Sequence, residues 1–126
     1  MRFRLNGILW QIIFVPPNSS YLIDRTGQHT VATTDPLTQC IYLSSDLTGD
    51  FKTRVIIHEI GHCALFSFNL LSAIHSLVPP SEWVIAEEWV CNLFADYGLY
   101  IFNALYDVIG EEIWQYIPYR IHDLIA

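Results

Sequence analysis

Residues 55–66 read VIIHEIGHCALF, a run of apolar residues that holds two histidines and a glutamate. Such a run folds as a core helix, and a core helix has no reason to carry His58-Glu59-Ile60-Gly61-His62 unless something needs it. On a helix, positions i and i+4 share a face one turn apart, so both imidazoles can reach one Zn²⁺. Glu59 flanks that point without binding it and can take a proton from a metal-activated water. Gly61 leaves room for another backbone or side chain to come close beside the motif.

A catalytic zinc site usually takes three protein ligands and leaves a position open for water. A third ligand farther along the same helix, as in H-E-x-x-H-x-x-G-x-x-H, is missing, because Leu65 and Phe68 stand where the glycine and histidine would be. His75 falls beyond the expected end of that helix, and His122 sits in a polar setting near the C-terminus; both read as structural or exposed. A second apolar helix contains AEEWVCNLFADYG, with Glu87 and Glu88 adjacent and Asp96 further on. Neighbours on a helix diverge by about 100°, so only one of the two glutamates can face the metal squarely. Glu88 shares a face with Cys91 and with Asn92, which could support a metal-facing group by a hydrogen bond; Glu87 shares one with Trp83, Val90 and Phe94. Helix geometry favours Glu88, with Glu87 as the alternative, and a solvated helix face carrying both remains the plain competing reading.

Outward from the motif, the N-terminal half reads as strands. Arg2–Leu5, Asn6-Gly7 and Ile8–Val15 have the pattern of a β-hairpin with a primed turn. Pro16-Pro17 stops the second strand, and Arg25-Thr26-Gly27 is a turn signal. HTVATT (29–34) and TQCIYLS (38–44) predict a second hairpin. Thr48 or Asp50 can cap the motif helix, predicted from about Asp50 to about Leu71. Pro79-Pro80 closes a loop, a second helix follows through Ile109 with Gly98 as a weak point, and Gly110 ends it. A last helical piece is interrupted at Pro118. Strands first and helices after give an α+β class, in a single domain over residues 1–126.

The composition excludes several functions. A net charge of −7 with no basic run argues against nucleic acid. The apolar stretch at 8–15 is interrupted by Gln11 and lacks a small-x-small cleavage site, so a secretory signal is not expected. No stretch is apolar and long enough for a membrane span. Three cysteines without a C-x-x-C pair suit reduced thiols in the cytoplasm. With 52% hydrophobic residues and a mean hydropathy of +0.32, the chain has more apolar surface than its core absorbs. That surplus, together with Tyr100, Phe102, Tyr106, Trp114, Tyr116 and Tyr119, points to a partner or to a homo-oligomer through the apolar helices.

H-E-x-x-H on one helix with a glutamate on the next is the gluzincin arrangement. The string EEWVCNLFADYG, 25 to 26 residues after His62, resembles the second-helix motif of the ImmA/IrrE-type metallopeptidases, in particular small members related to those of phages and mobile elements. The resemblance covers roughly residues 30–100. It implies a compact zincin-like core: a small, mainly antiparallel sheet beside an active-site helix and a glutamate-bearing helix. It also implies His58 and His62 as ligands, Glu59 as general base, and Glu87 or Glu88 as third ligand. Many such proteins have further acidic residues where this chain has Val90 or Cys91, and some act on a repressor; here a regulatory protein substrate would be a separate chain. In zincins the strand before the active-site helix borders the substrate cleft, which puts QCIYLS in line to pair with an extended peptide. Tyr97 and His75 are candidate transition-state donors.

The expected function is therefore a zinc-dependent endopeptidase. The alternative is a zinc-bound interaction module with weak or no catalysis.

Overall fold

The computed structural model describes residues 1–115; Tyr116, Pro118, Tyr119 and His122 lie outside the described residues. The hairpin written at Asn6-Gly7 forms at the expected place. β1 (Arg2–Leu5) runs antiparallel to β2 (Ile8–Val15), with Leu5 opposite Ile8. Asn6 and Gly7 have φ of 51° and 77°, the left-handed pair that a type I′ turn demands and that matches strand twist. β3 (Ala32–Asp35) and β4 (Cys40–Ser44) make the second hairpin, with Asp35 opposite Cys40. In its turn the Asp35 carboxylate accepts from the Leu37 N–H and the Thr38 hydroxyl.

The four strands form one sheet in the order β1-β2-β4-β3. β4 lies beside β2 and parallel to it, from Gln11 opposite Cys40 to Val15 opposite Ser44. The sheet is thus mixed, with two antiparallel pairings and one parallel. Local pattern identifies each hairpin, but which strands of two hairpins meet is a long-range choice. This choice overturns one expectation. QCIYLS is an interior strand, paired on both sides, and all five residues of β4 are buried. The strands at the two sheet edges are β1 and β3, with β3 on the β4 side.

Two apolar layers follow from the period of two along the strands. Trp10, Ile12, Ile41, Leu43 and Ala32 face the motif helix, where they pack with Val55 and Cys63 and against Ile56 and Ile60. Val15, Cys40 and Tyr42 face the other way, under Leu22 of a short 3₁₀ turn (Ser20–Leu22). The motif helix, α1, spans Gly49–Ser67. Thr48 stands at its N-cap with extended backbone, although its hydroxyl makes no capping bond, and Asp50 lies in the first turn. α1 stops short of the expected Leu71 because Asn69 turns left-handed (φ 55°) and the Leu70 N–H bonds back to Leu65 O. Residues Leu71–His75 form a short separate helix, α2. After a 3₁₀ turn at Pro80–Glu82, α3 runs unbroken from Trp83 to Ile109, through Gly98.

The chain divides into two compact units, Met1–Asp96 and a second that begins at Tyr97. In the second, α3 ends at Gly110 and a 3₁₀ segment (Gly110–Gln115) follows. Trp114 there packs on Phe102 and Tyr106, and the Tyr106 hydroxyl donates to Glu111. Among the described residues, no helix is long and apolar enough to cross a membrane.

Candidate metal centre

His58 and His62 project from α1 one turn apart, their Nε2 atoms 3.2 Å from each other and their side chains only 14% and 16% exposed. Glu88 of α3 meets them, with Oε2 3.0 Å from His58 Nε2 and Oε1 3.2 Å from His62 Nε2. Donor atoms surrounding an ion tetrahedrally at 2.0–2.1 Å are about 3.3–3.4 Å apart. The two Nε2 atoms are near that spacing, each meets a different Glu88 oxygen at 3.0–3.2 Å, and one ligand atom from each residue lies within 4.8 Å of the others, so the cluster could hold a metal ion. The two-imidazole, one-carboxylate set suits several divalent first-row ions.

The electrostatics follow from the same geometry. Hydrogen bonds from His58 and then His62 hold the Glu88 carboxyl well below the usual carboxylate range, against its partial burial. Burial opposes a charge on His58, but the Glu88 hydrogen bond and the nearby charges of Glu59 and Glu88 outweigh it and raise its pKa. Its Nδ1 is buried and has no hydrogen-bond partner.

Two contacts bring α3 to α1. A Cβ added to Gly61 would stand 3.3 Å from Cys91 Sγ and 3.4 Å from its Cα, so the helices meet where only a hydrogen fits comfortably. Farther along, Arg54 of α1 grips Asp96 through Nε (2.6 Å) and donates to Asn92 Oδ1 from Nη2 (3.3 Å). Asn92 therefore engages Arg54.

Glu87, the alternative ligand, points elsewhere. It is 4% exposed, and its two oxygens are taken by His75 Nε2 (2.5 Å) and Arg25 Nη1 (2.6 Å). Burial alone would raise its pKa; the hydrogen bonds from His75 and Arg25 lower it instead. His75 is itself stacked on Trp83, ring centroids 4.2 Å apart, and the Trp83 indole donates to His75 O. His75 is thus committed to Glu87. Tyr97 is exposed and belongs to the other unit.

Glu59 is buried, and the Thr34 hydroxyl of β3 donates to its Oε2 at 2.5 Å. The motif opens into a cleft of about 820 Å³, floored by His58, Glu59, His62 and Glu88 and flanked by β3 and the 20–28 segment. Tyr21 and Tyr42 stack face to face on its wall, centroids 4.5 Å apart.

Sequence reasoning missed two residues here, Arg25 and Thr34. Arg25 lies in a turn whose signal was legible but whose place was not, since it sits more than 60 residues from Glu87. Thr34 read as an ordinary strand residue; only the choice of β3 as an edge strand sets it beside Glu59. No protein-family model matches the chain, and a search of curated proteins found no match either.

Proposed function

We propose that the chain is a zinc-dependent endopeptidase of gluzincin type, built on a zincin-like core related to the ImmA/IrrE-type metallopeptidases. The observation that carries this reading is the convergence of His58, His62 and Glu88 on one point, with Glu59 beside it at the base of a cleft. A zinc ion held by these three residues would supply a water of lowered pKa and polarise a carbonyl. Glu59 is then placed to take the proton of the attacking water and pass it to the leaving amine. Thr34 holds the Glu59 carboxylate in one orientation.

The outer edge of β3, which pairs with no further strand among the described residues, supports an extended peptide as substrate. The bond from Ser44 N to Val31 O fixes the phase of the β3–β4 ladder. Thr33 and Asp35 therefore turn their backbone groups toward β4, and Thr34 turns its N–H and C=O outward, next to Glu59. A peptide adding as a strand there would lie along the cleft. Its identity as a separate regulatory protein, in the cytoplasm where buried free thiols are stable, completes the proposal.

Metal analysis of protein purified without added metal, followed by the Glu59→Gln variant on a peptide library read by mass spectrometry, tests this. The expected outcome is one zinc per chain in both proteins and cleavage only by the wild type. Zinc below about a tenth of an equivalent, or unchanged cleavage by Glu59→Gln, would sink it.

A second reading, a metal-bound interaction module with little catalysis, rests on the exposed apolar side chains of α3. Ile85 and Trp89 are exposed in the first unit, and Tyr100 and Val108 in the second. Specific cleavage that depends on Glu59 removes this alternative.

A further inference from the structure

Hydrolysis of a peptide bond puts negative charge on the scissile carbonyl oxygen, and a site must offer donors or positive charge where that oxygen lies. Of the two residues expected for this role from the sequence, His75 is held by Glu87, and Tyr97 belongs to the other unit. The cleft is otherwise rich in acids: Asp24, Asp35, Glu59, Glu87 and Glu88 all line it. Arg25 is the one Lys or Arg among the described residues that does.

Three features make Arg25 a prepared donor rather than a loose surface cation. Its turn is tied down by Asp24, whose carboxylate accepts from the Thr26 N–H, the Thr26 hydroxyl and the Gln28 N–H. The backbone bonds from Gly27 N to Asp24 O and from Asp24 N to Gln28 O close the same turn. The guanidinium is then anchored from below, as Nη1 meets buried Glu87 at 2.6 Å while His75 holds the other Glu87 oxygen. That anchoring explains why a carboxylate beside the candidate ligand is buried at all. Finally, Nη2 reaches 3.7 Å from Glu88 Oε1, the oxygen that also faces His62, and the side chain stays 47% exposed. An arginine carries five N–H donors, and two carboxylate contacts leave several of them for a ligand in the cleft.

We propose that Arg25 is the oxyanion-binding residue of the site, positioned by Glu87 and His75; this rests on the metallopeptidase reading above. As the water oxygen bonds to the carbonyl carbon, the C=O electron pair moves onto oxygen, where Arg25 donates hydrogen bonds and keeps its own proton. The pair returns as the C–N bond breaks, and the amine leaves with the proton that Glu59 carried. Substrate and water become a carboxylate and an amine, with no other reactant.

The test uses methylphosphonate, a tetrahedral oxyanion, titrated calorimetrically into zinc-loaded wild type, Arg25→Met and Arg25→Lys, with zinc content measured on the same samples. Expected are full zinc in all three, methylphosphonate affinity at least about tenfold weaker in Arg25→Met, and partial recovery in Arg25→Lys. On a cleaved peptide, Arg25→Met should lower kcat about 100-fold and shift KM less than about threefold. Equal methylphosphonate affinity in wild type and Arg25→Met, with zinc bound to both, overturns the role of Arg25 and leaves the metal site standing. Loss of zinc in a folded Arg25→Met also overturns it, since Arg25 would then serve to hold Glu88. No zinc in the wild type removes the metallopeptidase reading and this one together.

Discussion

Gly61 on α1 and Cys91 on α3 approach so closely that a single methyl on Gly61 would press on the Cys91 sulfur at 3.3 Å and on its Cα at 3.4 Å. Cys91 is fully buried and lies three residues after Glu88, so this contact sets how near Glu88 comes to His58 and His62. Gly61→Ala should push the helices apart by a few tenths of an ångström, costing about 1–3 kcal/mol of stability. Zinc affinity should fall roughly 10–100-fold, as for loss of other supports of a metal ligand. Thermal melts of the metal-free protein and a chelator competition separate the two effects. Unchanged zinc affinity would mean that the close approach does not position Glu88.

The two adjacent glutamates should fail in different ways. Glu88→Gln removes the proposed third ligand and should weaken zinc binding more than the 10–100-fold typical of a supporting residue, and it also takes from His58 and His62 their charged partner in the metal-free protein. Glu87→Gln should keep zinc near stoichiometric and cost about 1–3 kcal/mol, because Arg25 and His75 lose their charged partner. Denaturation curves beside zinc titrations decide between them. The reverse pattern would make Glu87 the ligand.

The buried Glu87 also sets a pH dependence. Its folded pKa is lowered, because hydrogen bonds from His75 and Arg25 outweigh the penalty of burial. A group of this kind stabilises the fold at pH above its unfolded value of 4.5, and that contribution is lost as pH falls through the lower folded value. The urea midpoint of the wild type should therefore drop below pH 4.5, and that of Glu87→Gln should drop less steeply over the same window. Parallel curves would assign the acid transition to other carboxylates.

The cysteines should be silent in the native protein. Cys40, Cys63 and Cys91 are all buried, and burial, with the charges of nearby glutamates, pushes the Cys63 and Cys91 thiols up to about 12. Titration with a chromogenic disulfide at pH 8 should label none of the three within minutes and all three in denaturant. Rapid labelling of Cys91 in the folded protein would contradict the packing around Gly61.

What could be read from the chain was whatever depends on neighbours in sequence. The Asn6-Gly7 hairpin, the helix carrying His58 and His62 one turn apart, and the stops at Pro79-Pro80 and Gly110 all follow from backbone preferences and from a period of 2 or 3.6. The α+β class follows from their order. Tertiary structure alone decided what depends on distant partners. Helix geometry could favour Glu88 over Glu87, but only the crossing of α3 over Gly61, with Arg54 on Asp96, turns Glu88 to the histidines. Pairing of β4 with β2 moved QCIYLS inside and left β3 at an edge, and this is what puts Thr34 on Glu59. Arg25 came to the cleft in the same way, carried by a turn whose position depends on contacts that no local pattern encodes. The opening run VIIHEIGHCALF determined two imidazoles and a carboxylate on one helix; the third carboxylate and the cation beside it came from long-range packing, because only packing brings residues 25, 34, 58, 59, 62 and 88 around one cleft.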